Sequence, residues 1–258
     1  MDHAHALALY DREMREHARP DGPGARIERA GRVVRQVAGP LDWNGVLWSR
    51  LDASDADAAI AEQVAHFGAL GLEFEWKAYG HDRPDDLGDR LLAAGFTAEA
   101  EETLMIGEAA GLDLTAREPD GVRVVPVTDA RGVDLVAGVH EEVFGTDASR
   151  LRHRMLAQLA ATPDTLLAVL ALAGDEPVSA ARMELVPGTG FAGLWGGGTL
   201  PAWRGRGIYR SLVAHRARAA LSRGYRYLQV DASDQSRPVL ERLGFAPLTT
   251  TTPYVRTP

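Results

Sequence analysis

Runs of apolar residues and stretches of helical periodicity alternate regularly through the second half of the chain. Strand-like runs carry dense or alternating apolar positions, whereas helical stretches repeat them at steps of three to five residues. The predicted order is strand (122–127), two helices (130–144 and 148–161), three strands (165–173, 178–186 and 191–200), a helix from Ile208, a strand ending at Asp231, a helix and a final strand. Short turns predict antiparallel neighbours and helical crossovers predict parallel ones, so the sheet should be mixed.

The first half of the chain repeats part of this order. In both halves a helix ends at a glycine, a strand and a second helix follow, and a Gly-Phe pair precedes another strand. The glycines are Gly71 and Gly95 in the first half and Gly224 and Gly244 in the second, at similar spacings of 24 and 20 residues. A glycine at a helix end takes the left-handed conformation without a Cβ penalty. We interpret the chain as a pseudo-repeat.

The two copies differ at the loop between a strand and its following helix. This loop is acidic and lacks glycine in the first copy (Asp52–Asp57), but basic and glycine-bearing in the second (Pro201–Gly207). Linker-like residues at about 111–121 separate the copies. We therefore predict an α/β protein (mixed α+β sheets) with two domains, residues 1–115 and 120–258, of which the first is degenerate.

Composition narrows the class of protein. The net charge of −8 argues against binding nucleic acid through bulk electrostatics and mildly favours a cationic or amine-bearing ligand. The absence of cysteine excludes disulfides and thiolate zinc sites. We expect a cytoplasmic protein without a signal peptide or a membrane span. Lys77 is the only lysine, which we attribute to coding bias.

The strongest chemical signal is the glycine-bearing loop before the helix at Ile208. Gly205 and Gly207 allow consecutive backbone N–H groups to point inward, and the first N–H groups of a helix have no intrahelical acceptor. Together with the helix dipole they form an anion site, and Arg204 and Arg206 add positive charge for a pyrophosphate. A glycine-rich strand (Gly196-Gly197-Gly198) immediately precedes the loop.

The segment Thr199–Tyr209 resembles motif A of the GNAT superfamily of acyl-CoA-dependent N-acyltransferases. Arg204 and Gly207 match that motif, while Tyr209 stands at its last small position. Leu243-Gly244-Phe245 resembles the end of motif B, and the resemblance covers residue 122 to the C-terminus. It implies two GNAT-like domains, the first a degenerate copy, and a strand 191–200 that splays from the next strand.

The resemblance also implies how acetyl-CoA, as cosubstrate, would be bound. Gly198, Thr199 and Leu200 would supply backbone partners to the pantetheine arm. The pyrophosphate would be wrapped by the loop and helix start, namely Arg204, Gly205, Arg206, Gly207, Ile208 and Tyr209. Asp234, at the start of the following helix, would lie near the thiol end.

Catalytic residues are less clearly marked. Motif B commonly has a tyrosine as general acid, but Leu240 stands at that position, so Tyr209, Tyr254 or Ser236 would have to substitute. The strand 191–200 carries no acid, so the candidate bases are Asp231, Asp234, Glu184 and Glu142. We favour Asp231 and Ser236 as catalytic residues. His140-Glu141-Glu142 lacks the second histidine of a zinc motif, and we predict no metal site.

The expected activity is transfer of an acetyl group to a primary amine of a small molecule by direct attack in a ternary complex. Acetyl-CoA and the amine would be the partners, with no nucleic acid or membrane. The missing tyrosine and strand glutamate leave open a non-catalytic acyl-CoA-binding or regulatory module. A third possibility is an acyltransferase resembling mycothiol synthase. The acceptor and the oligomeric state are not defined by the sequence.

Overall fold

The computed structural model describes residues 1–258 and contains seven α-helices. They are α1 (His3–Tyr10), α2 (Ala56–Leu70), α3 (Leu87–Ala93), α4 (Ala130–Phe144), α5 (Ser149–Ala161), α6 (Ile208–Ser222) and α7 (Arg237–Arg242). A π-helical segment, Asp11–Glu16, continues α1. Gly71 and Gly145 end α2 and α4 in the left-handed conformation, as a helix C-terminus favours.

Twelve strands complete the structure. They are β1 (Arg26–Ala30), β2 (Val33–Val37), β3 (Gly45–Ser49), β4 (Phe74–Tyr79), β5 (Thr97–Ala98), β6 (Glu102–Glu108), β7 (Val122–Val127), β8 (Leu166–Ala173), β9 (Glu176–Leu185), β10 (Phe191–Thr199), β11 (Tyr227–Ala232) and β12 (Ala246–Arg256). In the second half, every predicted element is present, and β7 and α4 have the predicted bounds.

The chain forms two compact units that are not simply its first and second halves. Unit 1 comprises residues 1–104, 231–234 and 247–258, and unit 2 comprises residues 105–230 and 235–246. The predicted domains, 1–115 and 120–258, are each one continuous stretch of sequence. The two units are not, because each includes residues from both halves of the chain. The predicted boundary remains a proposal about the repeat in the sequence.

Unit 2 has a mixed sheet covered on both faces. Its strand order is β7-β8-β9-β10-β11-β6, in which β10 and β11 are parallel and β7 to β10 are antiparallel neighbours. Each face of this sheet carries its own hydrophobic core. Neighbouring residues of β9 point into different cores because side chains alternate along a strand. Ala180 packs with α4 and α5, whereas Ala181 packs with Ile208 and Leu212 of α6.

Unit 1 has one apolar face and one polar face. Its strand order is β1-β2-β3-β4-β12, with β3 and β4 parallel and the other neighbours antiparallel. Phe74 and Trp76 of β4 join a core with α2 and α3. The alternate residues Glu75, Lys77 and Tyr79 therefore lie on the opposite face.

Each unit thus takes a strand from the other half of the sequence. The last strand, β12, pairs with β4 along residues 74–79 of unit 1. Residues 105–108 of β6 lie beside β11 in unit 2. The predicted fold class, mixed sheets flanked by helices, is confirmed. No helix is both long enough and apolar enough to span a bilayer.

Candidate active site

The strand β10 separates from its neighbour β11 halfway along its length. The two strands pair only from Phe191 to Gly193, opposite Tyr227 to Gln229, although β10 continues to Thr199. On its other side β10 pairs with β9 and has an irregularity between Trp195 and Gly198. Beyond Gly193, the edge of β10 that faces β11 therefore has no ladder partner and offers backbone groups to a ligand.

The loop that follows β10 exposes a run of backbone amides. Gly205 and Gly207 have φ values of 75° and 85°, which favour glycine, and a Cβ at either position would contact nothing within 4 Å. Gly207 directly precedes α6 and provides no side-chain cap. The first amide of α6 with a backbone acceptor is that of Ser211, which donates to the Gly207 carbonyl. The amides of residues 205–210 are thus available to an anion.

The two arginines of this loop contact neighbouring residues of the same segment. Arg204 Nε donates to the Thr199 carbonyl at 3.1 Å. The Arg206 guanidinium lies 4.4 Å from the centroid of the Trp203 ring, a cation–π contact. Both side chains belong to residues that are exposed at the surface. They add positive charge to the helix end that carries the free amides.

Some of the backbone groups that the family resemblance assigns to pantetheine binding form hydrogen bonds within the protein. The Gly198 carbonyl accepts from Ser179 Oγ at 2.6 Å, and the Leu200 N–H donates to the Val178 carbonyl at 2.9 Å. A carbonyl oxygen has two lone pairs, so Gly198 and Thr199 retain acceptor capacity. A side chain at Gly198 would collide with Val143 at 2.8 Å, so glycine is required there.

Tyr209 packs beneath the glycine-rich strand together with a buried arginine. A Cβ at Gly197 would lie 3.0 Å from Tyr209 Cε2 and 3.5 Å from Arg216 Nη2. Arg216 is buried and donates to the carbonyls of Leu212 and Arg182. Burial lowers the pKa of Arg216 to about 10 and raises the pKa of Tyr209, and the positive Arg216 opposes the rise at Tyr209.

Asp231 belongs to a buried polar region of unit 1. Its side chain is only 2% exposed, and its Oδ2 accepts a short hydrogen bond from Lys77 Nζ. Nearby, the hydroxyls of Tyr10 and Tyr79 are 3.0 Å apart. Burial raises the pKa of both tyrosines, and the negative charge of Asp231 adds to this rise. Burial lowers the pKa of Lys77, but the charges of Asp231, Tyr10 and Glu75 and the hydrogen bond to Asp231 together outweigh this and raise it.

Two glutamates extend this region. Trp43 Nε1 donates to Glu75 Oε2 at 2.7 Å, and burial is the main cause that raises the pKa of Glu75. Burial, together with the negative charge of Asp231, raises the pKa of Glu102 to about 7. We call Lys77, Glu75, Glu99, Glu102 and Asp231 the charge cluster.

The other predicted residues lie elsewhere. Ser236 immediately precedes α7 in unit 2 and makes no side-chain cap to that helix. Asp234 is exposed and belongs to unit 1. Leu240 is fully buried in α7, and a leucine side chain cannot donate a proton. No group of three or more His, Asp or Glu side chains is arranged to hold a metal ion.

Spacing along the chain predicts that residues 198–209 form one site, but it does not reveal the partners of Asp231. Lys77, which composition marks only as the single lysine, is one of them, and Glu75 and Glu102 lie in the same region. A usable signal was present in β4, where alternation places Glu75, Lys77 and Tyr79 on one face. The partners could not be found by spacing because Lys77 and Asp231 are 154 residues apart.

The fold is similar to the folds of several solved structures. The structure is similar to a GCN5-related N-acetyltransferase from Kribbella flavida, with a TM-score of 0.70 and 19% identity, covering 98% of this chain and 93% of that one. A GCN5-related N-acetyltransferase from Sphaerobacter thermophilus is similar with a TM-score of 0.60 and 14% identity, covering 89% of this chain and 82% of that one. The fold is therefore that of GNAT proteins over nearly the whole chain.

A tandem GNAT protein from the clavulanic acid biosynthesis pathway is also similar, with a TM-score of 0.62 and 14% identity, covering 92% of this chain and 84% of that one. Residues 134–245 match the family model "Acetyltransferase (GNAT) family". The match runs from within α4 to Phe245, just before β12. A search of curated proteins found no significant match.

Proposed function

We propose that this protein transfers an acetyl group from acetyl-CoA to a primary amine of a small molecule, by direct attack in a ternary complex. The observation that carries the proposal is the run of unbonded amides at residues 205–210, at the start of α6 and next to the free edge of β10. Such a run fits a pyrophosphate, and the adjacent strand edge fits an extended amide-bearing arm.

The loop would act by charge and geometry. The amides of Gly205 to Tyr209 and the positive end of the α6 dipole would hold the pyrophosphate, with Arg204 and Arg206 adding charge. Gly198, Thr199 and Leu200 would align the arm through their backbone, and Asp234 would lie near the thiol end. Positioning of the two reactants alone contributes about 7–11 kcal/mol to such reactions.

For the proton transfers we propose Asp231 and Ser236. An alkylammonium with a pKa of about 10 must lose a proton before its nitrogen attacks, so the base matters most. Asp231 Oδ2 is held by Lys77 Nζ, which fixes the position of the carboxylate proposed as the base. The leaving thiol has an unperturbed pKa of about 8.5, so its anion is tolerable and a weak donor such as Ser236 suffices.

A second candidate is a protein that binds acyl-CoA without turnover. Leu240 is buried where a proton donor is expected, and β10 carries no acidic residue. These two features favour binding without acid–base catalysis.

Release of free CoA separates the two candidates. The full chain is mixed with acetyl-CoA and a panel of primary amines, and thiol release is followed against a no-amine control. Amine-dependent release supports the transferase. Stabilisation of the fold by acetyl-CoA without any release supports the binding protein, and the absence of both would contradict the two candidates together.

A further inference from the structure

The charge cluster has an excess of negative charge on one side of unit 1. It contains four carboxylates, of Glu75, Glu99, Glu102 and Asp231, and the single ammonium of Lys77, which pairs with Asp231. Glu75 and Lys77 share a face of β4, and the Glu99 N–H donates to the Pro253 carbonyl directly across from Lys77 on β12. Fully ionised, the cluster would hold three uncompensated negative charges.

Asp231 provides a separate indication of a missing partner. Oδ2 is bonded to Lys77, but Oδ1 is buried and has no hydrogen-bond donor. A buried carboxylate oxygen without a donor is costly, and native proteins rarely leave one unsatisfied. Asp231 lies on β11, next to β6, which carries Glu102, and its bond to Lys77 joins it to β4, which carries Glu75.

We propose that the charge cluster binds a positively charged alkylammonium group of a small molecule, with Glu75, Glu102 and Asp231 as its anionic partners. The inference rests on the proposed function only in assigning this cation to the acceptor. The cluster reaches the surface at Glu99, which is exposed, and at the Lys77 side chain, which is 17% exposed, whereas the Asp231 side chain lies beneath them at 2% exposure.

The surroundings favour an organic cation over a metal ion. Lys77 already places an ammonium against Asp231, so this chemistry fits the cluster. The aromatic side chains of Tyr10 and Trp43 lie at the same face as Tyr79, whose ring already has the Arg15 guanidinium 3.8 Å from its centroid. Aromatic faces attract alkylammonium groups. The carboxylates do not form a set with metal-ligand geometry.

Binding of a cation is coupled to the protonation of Glu102. Asp231, Glu75 and Glu99 face Glu102 with negative charge, and Lys77 faces it with positive charge. With a pKa of about 7, Glu102 is about half protonated at pH 7. A second positive charge lowers this pKa, so binding should release about half a proton to the buffer at that pH.

Isothermal titration of the full chain with 1,4-diaminobutane, without acetyl-CoA, tests the proposal. Experiments at pH 7 in phosphate and in HEPES give the number of protons released from the difference in heat. We expect saturable binding with proton release, and no binding of the neutral 1,4-butanediol. Equal binding of diamine and diol, or equally effective competition by Mg²⁺, would overturn the assignment to an alkylammonium group.

The variant Glu102→Gln should weaken diamine binding about tenfold and abolish the proton release, since it removes one anionic partner and its titration. Glu101→Gln is the matched control because Glu101 is the adjacent, exposed residue, and it should bind like the wild type. Thermal melts confirm that both variants fold. Equal effects of the two substitutions would overturn the proposal. Loss of acetyl-CoA binding alone would contradict the proposed function and leave the cation site standing.

Discussion

The two units use the same succession of strand, loop and helix but give the loop opposite charge. In unit 2 the loop between β10 and α6 presents amides and two arginines. In unit 1 the loop between β3 and α2 presents carboxylates, and Asp52 accepts from Ser54 and pairs with Arg32. Asp55 also pairs with Arg32, so these carboxylates are held by protein partners.

The sheet and its crossover helix are maintained in both units, and the difference in charge is confined to the junction between strand and helix. The polar groups of unit 1 lie instead on the face of β4 opposite its apolar core, where the charge cluster is located. One unit thus has features that suit an anion and the other has features that suit a cation.

The largest expected effect is on the stability of unit 1. Lys77→Met should lower the free energy of unfolding by about 3–5 kcal/mol at pH 7, because Asp231 would remain buried without its cation. Denaturant unfolding measures the change. Arg123→Met in unit 2 is the matched control, since it breaks an exposed pair with Asp175 and should cost less than about 1 kcal/mol. Similar losses in both variants would show that burial does not distinguish the pairs.

The next effect concerns the loop of unit 2. Acetyl-CoA at 100 times its dissociation constant should stabilise the protein by about 2.7 kcal/mol, and Gly207→Asp should abolish this stabilisation because a carboxylate would face the pyrophosphate. Gly207→Asn carries the same backbone strain without the charge, and Gly174→Asp places an acid at another left-handed glycine in open space. Both controls should retain a thermal shift. An unmoved wild-type melting curve would contradict the proposed binding.

The number of acetyl-CoA molecules bound per chain tests the contrast between the two loops. We expect one acetyl-CoA per chain, because the acidic loop of residues 52–57 offers no glycine and several carboxylates to a polyanion. Equilibrium titration gives the stoichiometry. A value of two would remove the functional distinction between the loops.

A smaller effect is expected on catalysis. Asp231→Asn should lower the acylation rate of a competent amine by about tenfold, within the range for loss of acid–base help, with little change in acetyl-CoA affinity. The pH–rate profile should move toward alkali, where the free amine no longer needs a base. Melting curves control for the loss of the Lys77 partner. Full activity at neutral pH would leave positioning and water as the basis of the reaction.

The smallest effect is the pH dependence that Glu102 gives to stability. Its folded pKa of about 7 lies above the ordinary value of 4.5, so the folded state binds the proton more tightly and stability falls as pH rises between these values. Relative to Glu102→Gln, the wild type should lose about 1 kcal/mol between pH 5 and pH 8, a modest figure because Glu102 is partly exposed. Glu101→Gln should show no such change. A constant difference across this range would contradict the raised pKa.

The sequence predicted the order of elements in the second half because the determinants there are local. Gly71 ends α2 and Gly145 ends α4, and the spacing of apolar residues along the sequence predicts α4, α5 and α6. The anion loop was also predictable, since its glycines and the following helix are contiguous in the chain. Its open amides follow from the φ values of two neighbouring residues.

The surroundings of Asp231 were not predictable because they depend on pairing between distant strands. Lys77 lies on β4, and the burial that forces it against Asp231 arises only when the sheet of unit 1 has formed. The exchange of β6 and β12 was missed for the same reason. Hydrophobic periodicity identifies a strand but does not specify its neighbour.

The membership of β12 in unit 1 also bears on the order of events during synthesis. Most of unit 1 emerges from the ribosome first, yet β4 lacks its β12 neighbour until residue 256 has been made. Domains generally fold as they emerge, and an unpaired strand edge is prone to association with other chains. The nascent N-terminal half should therefore stay incomplete, with one edge of β4 unpaired, until β12 has been synthesised.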